Sequence, residues 1–196
     1  MPGPTVPRPP GATTDTATDR PAPDPTPTGR ASSRRHTLGG LALGVGLGGF
    51  LDGIVLHQIL QWHHLLTAQD RHGAFPDATV RSLEENTLWD GLFHAVAWLF
   101  VVLGVWLLAG AGRIGGGRRL GGLLLAGWGG FNLVEGVVDH HLLGIHHVRD
   151  DVADPLWWDL GFLALGAVLV VAGVTLWRSA ARRAPRSSSH AGRRRR

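Results

Sequence analysis

Two segments of this chain repeat the same polar residues, 83 positions apart, inside apolar runs long enough to cross a bilayer. The first reads Asp52-Gly-Ile-Val-Leu-His57, then Gln-Ile-Leu-Gln-Trp, then His63-His64. The second reads Glu135-Gly-Val-Val-Asp-His140, then His-Leu-Leu-Gly-Ile, then His146-His147. An acid, a glycine, a histidine and a closing His-His pair all keep register. Carboxylates and imidazoles are costly in hydrocarbon, so a fold that keeps them there usually uses them.

The apolar runs are four, at roughly 38–64, 87–109, 119–145 and 156–177, each reaching the ~20 residues that a spanning helix needs. Mean hydropathy is only +0.07 because a polar head and tail dilute them. A water-soluble bundle would show a polar stripe on every helix, and 97–109 and 160–177 show none. The glycines in the first and third runs would weaken a soluble helix but allow close contact in lipid. Trp89-Asp90 opens the second run and Trp158-Asp159 the fourth. The repeated unit is therefore a helical hairpin, and the two halves should be related by a pseudo-twofold axis along the membrane normal. The expectation is an all-α, four-transmembrane-helix bundle over 37–178, made of two repeated helical hairpins. It is flanked by a disordered Pro- and Thr-rich tail at 1–36 and an Arg-rich tail at 179–196.

Charge sets the expected orientation. The chain has no cysteine and no lysine, so all 19 basic residues are arginines. Arg30, Arg34, Arg35, Arg113, Arg118, Arg119 and the tail from Arg178 fall on one side of the membrane. The other side receives loops 65–86 and 148–155, where Asp70, Asp77, Glu84, Glu85, Asp150, Asp151 and Asp154 outnumber Arg71, Arg81 and Arg149. The positive-inside rule then places both termini in the cytoplasm. Ser33-Arg34-Arg35 reads as a basic flank rather than a twin-arginine export signal, because no small-residue cleavage site follows. The basic runs lack stacking aromatics, which excludes a nucleic-acid partner. The bilayer is the first partner, with a homodimer as a protein partner compatible with it.

Counting inward from the outer surface at ~1.5 Å per residue puts His57, His94 and His140 in one layer. Asp52 and Glu135 lie below that layer, nearer mid-membrane. Asp90, His64 and His147 lie above it, with His63, His146 and Asp159. No helix carries two histidines at i and i+4 positioned for a single-helix metal site, so ligands must come from several helices. Imidazoles with carboxylates suit copper, zinc or iron, and the carboxylates serve as ligands or as acceptors that orient an imidazole. The candidate metal residues are His57, His94, His140, Asp90, Asp52, Glu135, His64 and His147. For His63, His146, His72 and His36 a hydrogen-bonding role near the interface is the expectation, and for Trp62, Trp89, Trp157 and Trp158 an aromatic belt. Two alternatives remain open at this point: a haem b electron carrier with His57 and His140 as axial ligands, and a proton-coupled transporter using Asp52 and Glu135. Nothing in the pattern identifies an enzymatic reaction.

These residues resemble an uncharacterised bacterial membrane protein family, domain of unknown function 2243. Three segments carry the resemblance: Gly49 through His64, Leu88 through His94, and Phe131 through His141, within about 38–178. The resemblance implies a four-helix integral membrane protein. It implies a bacterial plasma membrane location and brings no established activity, and its only functional suggestion is a link to respiratory oxidase assembly, with a respiratory complex as the partner.

Overall fold

The computed structural model describes residues 27–66, 80–112 and 116–182. Among these residues the fold is all-helical, with α1 at Pro27–Asp52, α2 at Val80–Ala109, α3 at Gly116–Glu135 and α4 at Leu156–Arg182. A π-helical segment continues α1 over Gly53–Ile59, and a second continues α3 over Gly136–Leu142. Four spans are long and apolar enough to cross a membrane: Gly29–Ile59, Val80–Ala109, Gly116–Leu142 and Leu156–Ala180. Helix α1 starts at Pro27, inside the expected tail at 1–36. Its first turns carry arginines and serines that reach the ends of neighbouring helices, so the helix gains partners there. Ser32 Oγ donates to the Ala111 carbonyl, and Arg119 Nη2 donates to Ser33 Oγ at 3.3 Å. The remainder of that tail, His72 and the tail beyond Arg182 lie outside the described residues.

Helices α1 and α3 form the centre, α2 packs on α1, and α4 packs on α3. Glycine sets how closely the central pair approaches. A Cβ on Gly44 would meet the Leu124 carbonyl and the Gly127 Cα; one on Gly127 would meet the Leu41 carbonyl and the Gly44 Cα. These two glycines are themselves 83 residues apart, so the crossing point is the same in both halves. Backbone contact of this kind replaces the hydrophobic effect, which lipid does not supply between helices. The outward faces of α2 and α4 are apolar and exposed, as at Trp98, Trp106, Val168 and Val171.

The two π-helical segments decide where the polar groups go. In an α-helix, residues five apart point about 140° away from each other. A π-helix closes i to i+5, which brings such residues onto one face. Asp52 and His57 are five apart, as are Glu135 and His140. Each segment then ends in the same turn. Leu60 N–H donates to Val55 and Trp62 N–H to Leu56; Leu143 N–H donates to Val138 and Ile145 N–H to Asp139. Gln61 and Gly144 adopt left-handed backbone, with φ of 50° and 56°. The chain therefore reverses after Ile59 and after Leu142. The straight helices to 64 and 145 expected from the sequence stop short, and His63 and His146 fold back into the bundle.

Candidate metal centre

Two groups of ligating side chains stand at equivalent positions, Asp52 with His57 and His63, and Glu135 with His140 and His146. In each group one carboxylate oxygen and two ring nitrogens lie within 4.8 Å of one another, and all six residues are buried. Such a group could hold a metal ion. The groups abut. The His63 and His146 rings stack with centroids 4.6 Å apart and planes within 6°. His57 lies 4.5 Å from His63, and His140 lies 4.9 Å from His146, centroid to centroid. The Glu135 carboxyl also faces that of Asp52 within hydrogen-bonding reach.

Hydrogen bonds at the outer ring nitrogens fix the tautomers of His57, His63 and His146. His63 Nδ1 donates to the Val148 carbonyl at 2.9 Å, and His146 Nδ1 donates to the Leu65 carbonyl at 3.2 Å. His57 Nδ1 donates to Asp90 Oδ1 at 2.9 Å, and His140 Nδ1 faces Asp159 Oδ1 at 3.5 Å. With Nδ1 carrying the proton, a neutral imidazole presents a bare lone pair at Nε2. The four Nε2 atoms are buried and have no hydrogen-bond partner among the described residues, and neither do Asp52 Oδ2 and Glu135 Oε2. His57 Nε2 lies 3.2 Å from Asp52 Oδ2, and His146 Nε2 lies 3.8 Å from Glu135 Oε1. Acceptor thus faces acceptor, and each such buried atom left unpaired costs about 1–3 kcal/mol. A proton or a metal ion between them removes that cost. Burial and the neighbouring imidazoles of His146 and His57 push His63 down to about 2. Burial also lowers His146. Both rings are therefore neutral at ordinary pH, which is the ligand form.

Asp90 and Asp159 stand behind this layer and anchor it. Asp90 accepts from His57, from His64 Nδ1 at 2.7 Å and from the Leu65 N–H at 2.9 Å. Asp159 accepts from His147 Nδ1 at 2.7 Å and from the Val148 N–H at 2.9 Å. Asp159 comes from the first turn of α4, where Asp154 Oδ1 accepts from the Leu156 N–H at 3.2 Å and starts the helix beyond Pro155, whereas α2 starts at Val80, ahead of the expected opening at Trp89-Asp90, and carries Asp90 in its interior. Such carboxylate–histidine contacts orient a ligand and raise its basicity. His64 and His147 reach Asp90 and Asp159 rather than the inner nitrogens.

Of the eight candidate metal residues read from the sequence, the structure brings Asp52, His57, Glu135 and His140 into the two groups. It places Asp90, His64 and His147 in the surrounding hydrogen-bond layer. His94 is in neither group. Its Nδ1 donates to the Asp90 carbonyl one turn back at 2.7 Å, and its ring packs against Phe50, Phe93 and Gly53. His63 and His146 complete the groups in its stead, although an interfacial role was expected of them. Gly144 was the available signal: a glycine after a helical run commonly ends the helix in left-handed backbone and turns the chain.

No curated protein and no solved structure matches the chain. The family model described as Predicted membrane protein (DUF2243) matches residues 39–180, most of the chain and all of both ligand groups, and the chain belongs to that family.

Proposed function

We propose that the protein binds two neighbouring transition-metal ions in the extracytoplasmic half of the bilayer, each held by one carboxylate and two imidazoles. Metal handling or redox chemistry on the outer side, in the assembly of a respiratory oxidase, is the role that fits such a centre. One observation carries this reading: six buried ligand atoms converge without hydrogen-bond donors, while the opposite edges of the His57, His63 and His146 rings are anchored by a carboxylate and two carbonyls. The donor set of imidazole and carboxylate, with no thiolate in the chain, suits zinc, iron or imidazole-bound copper. Haem is disfavoured because the stacked His63 and His146 rings lie between His57 and His140, where a macrocycle would have to sit. The arginine asymmetry supports the orientation with both termini in the cytoplasm of a bacterial plasma membrane.

Elemental analysis of the detergent-purified full chain tests the centre. Wild type is expected to carry or take up about two equivalents of metal, one for each group. His63→Ala should lose metal, and His64→Ala should keep it. A wild-type protein that holds no copper, zinc, iron or manganese after incubation with each ion overturns the reading.

A further inference from the structure

The two ligand groups are built alike but are not approached alike. Position 139 in the second half corresponds to position 56 in the first, 83 residues earlier. Leu56 joins Val55 and Trp62 in the apolar lining of a cleft next to the first group. At the matching place in the second half the chain carries a carboxylate, Asp139.

Asp139 belongs to neither group of three, yet it adjoins the second. One turn beyond Glu135 in the π-helical segment, Asp139 and His140 stand side by side, which puts Asp139 on the flank of the group. Its charge acts on both Glu135 and His146. The six ligand residues are buried, whereas Asp139 is half-buried. Its carboxylate has no hydrogen bond or ion pair among the described residues. It stands less than one turn from Leu142, where the span ends. Behind it, Glu135 Oε2 and His146 Nε2 are buried and unpartnered. A half-exposed charge thus stands between the end of the span and two ligand atoms that have nothing to bind. Keeping an uncompensated carboxylate in a span is costly, so a fold that retains one there uses it.

We infer that Asp139 is the entry ligand of the second group: a divalent cation docks on its carboxylate and passes inward to Glu135 and His146. This rests on the two-ion reading above and adds a difference between the halves. The first group stands behind Leu56 instead, so it fills and empties more slowly. Two physical effects favour the second group. Taking an ion out of water is expensive, and a carboxylate at the mouth replaces part of the hydration before the ion reaches the buried atoms. A negative charge at an apolar opening also concentrates cations there, and such focusing raises association rates about 10- to 1000-fold.

The test follows zinc transfer from a chromophoric chelator to the detergent-purified full chain in stopped flow. His57→Ala leaves the second group intact and His140→Ala the first. Uptake should be about ten-fold faster in His57→Ala than in His140→Ala, with a difference that shrinks as salt is raised. Adding Asp139→Leu to His57→Ala should erase the difference, and adding Leu56→Asp to His140→Ala should speed uptake. In the otherwise wild-type chain, Asp139→Asn should slow zinc uptake and release together without changing the final zinc content. Equal rates in the two single-group variants overturn the inference, as does a difference that survives Asp139→Leu. An Asp139→Asn chain that loses bound zinc at an unchanged uptake rate makes Asp139 a resident ligand and overturns the entry role as well. Each of these outcomes leaves the two-ion reading standing, whereas a wild type that takes up no metal overturns that reading and the entry role with it.

Discussion

His63 and His64 are neighbours in the chain with opposite surroundings. His63 is buried, with Nδ1 on a carbonyl and Nε2 turned into the ligand group, whereas His64 is partly exposed and reaches Asp90. Asp90 in turn holds His57, so its effect on metal passes through the imidazole. Asp90→Asn keeps the shape but loses the charge that fixes the tautomer of His57. Metal affinity should fall about 10- to 100-fold, the usual effect of removing a partner behind a ligand. Titration with a metal-sensitive competitor dye measures it, and unchanged affinity would remove Asp90 from this role. The same rings set an acid limit. His63 faces Asp52, His57, His140 and His146, and burial holds it near 2, far below its unfolded value of about 6.5. The unfolded chain binds a proton below that value and the folded chain does not, so folding stability is lost as pH falls. In chelator-treated protein the thermal midpoint should drop steadily from pH 7 to pH 5. For each such histidine the loss approaches about 1.4 kcal/mol per pH unit below 6.5. His63→Asn should flatten the profile.

The elements show which part of this was legible in the sequence. Four apolar runs of spanning length are a consequence of bilayer thickness, so the helices could be read directly. Asp52, His57, Glu135 and His140 stand out because ionisable groups are rare at such depth. The π-helical segments are a different matter. Their register depends on Gly53 fitting beneath His94 and Gly136 beneath Leu163, contacts that no local pattern encodes. A one-residue change in helical closure moved His63 and His146 from the expected interface to the centre. The central crossing is similarly a matter of packing. A methyl group at Gly127 would overlap the Leu41 carbonyl and the Gly44 Cα, neither of which can move independently of α1. Gly127→Ala should therefore destabilise the bundle by about 1–3 kcal/mol. Gly130→Ala, with open space around its Cβ, should leave stability unchanged or slightly raised. Thermal unfolding of the two variants in one detergent checks the contrast, and equal midpoints would show that α1 and α3 do not approach as described.

At the scale of the molecule, each half completes the other. His63, from the first half, is held by the carbonyl of Val148, and His146, from the second, is held by the carbonyl of Leu65. Leu65 and Val148 are themselves 83 residues apart, and their N–H groups donate to Asp90 and Asp159. Asp150 N–H adds a bond to the Trp62 carbonyl at 3.0 Å, and the Arg149 guanidinium lies about 5 Å from the Trp62 and Trp158 rings. The two reversing strands are thus tied reciprocally, and an ion in one group orders the backbone that positions a histidine in the other. Binding at the two groups should be coupled rather than additive. His57→Ala touches only the first group and His140→Ala only the second. Independent sites would leave about one equivalent of metal in each variant with wild-type affinity. The reciprocal bonds predict instead that the remaining ion binds more weakly, by the roughly 5-fold or more that a coupling of 1 kcal/mol produces. Metal titrations of wild type, both single variants and the double variant close the cycle. Full affinity at the remaining group in both single variants would mean that the halves share a fold but act as separate sites.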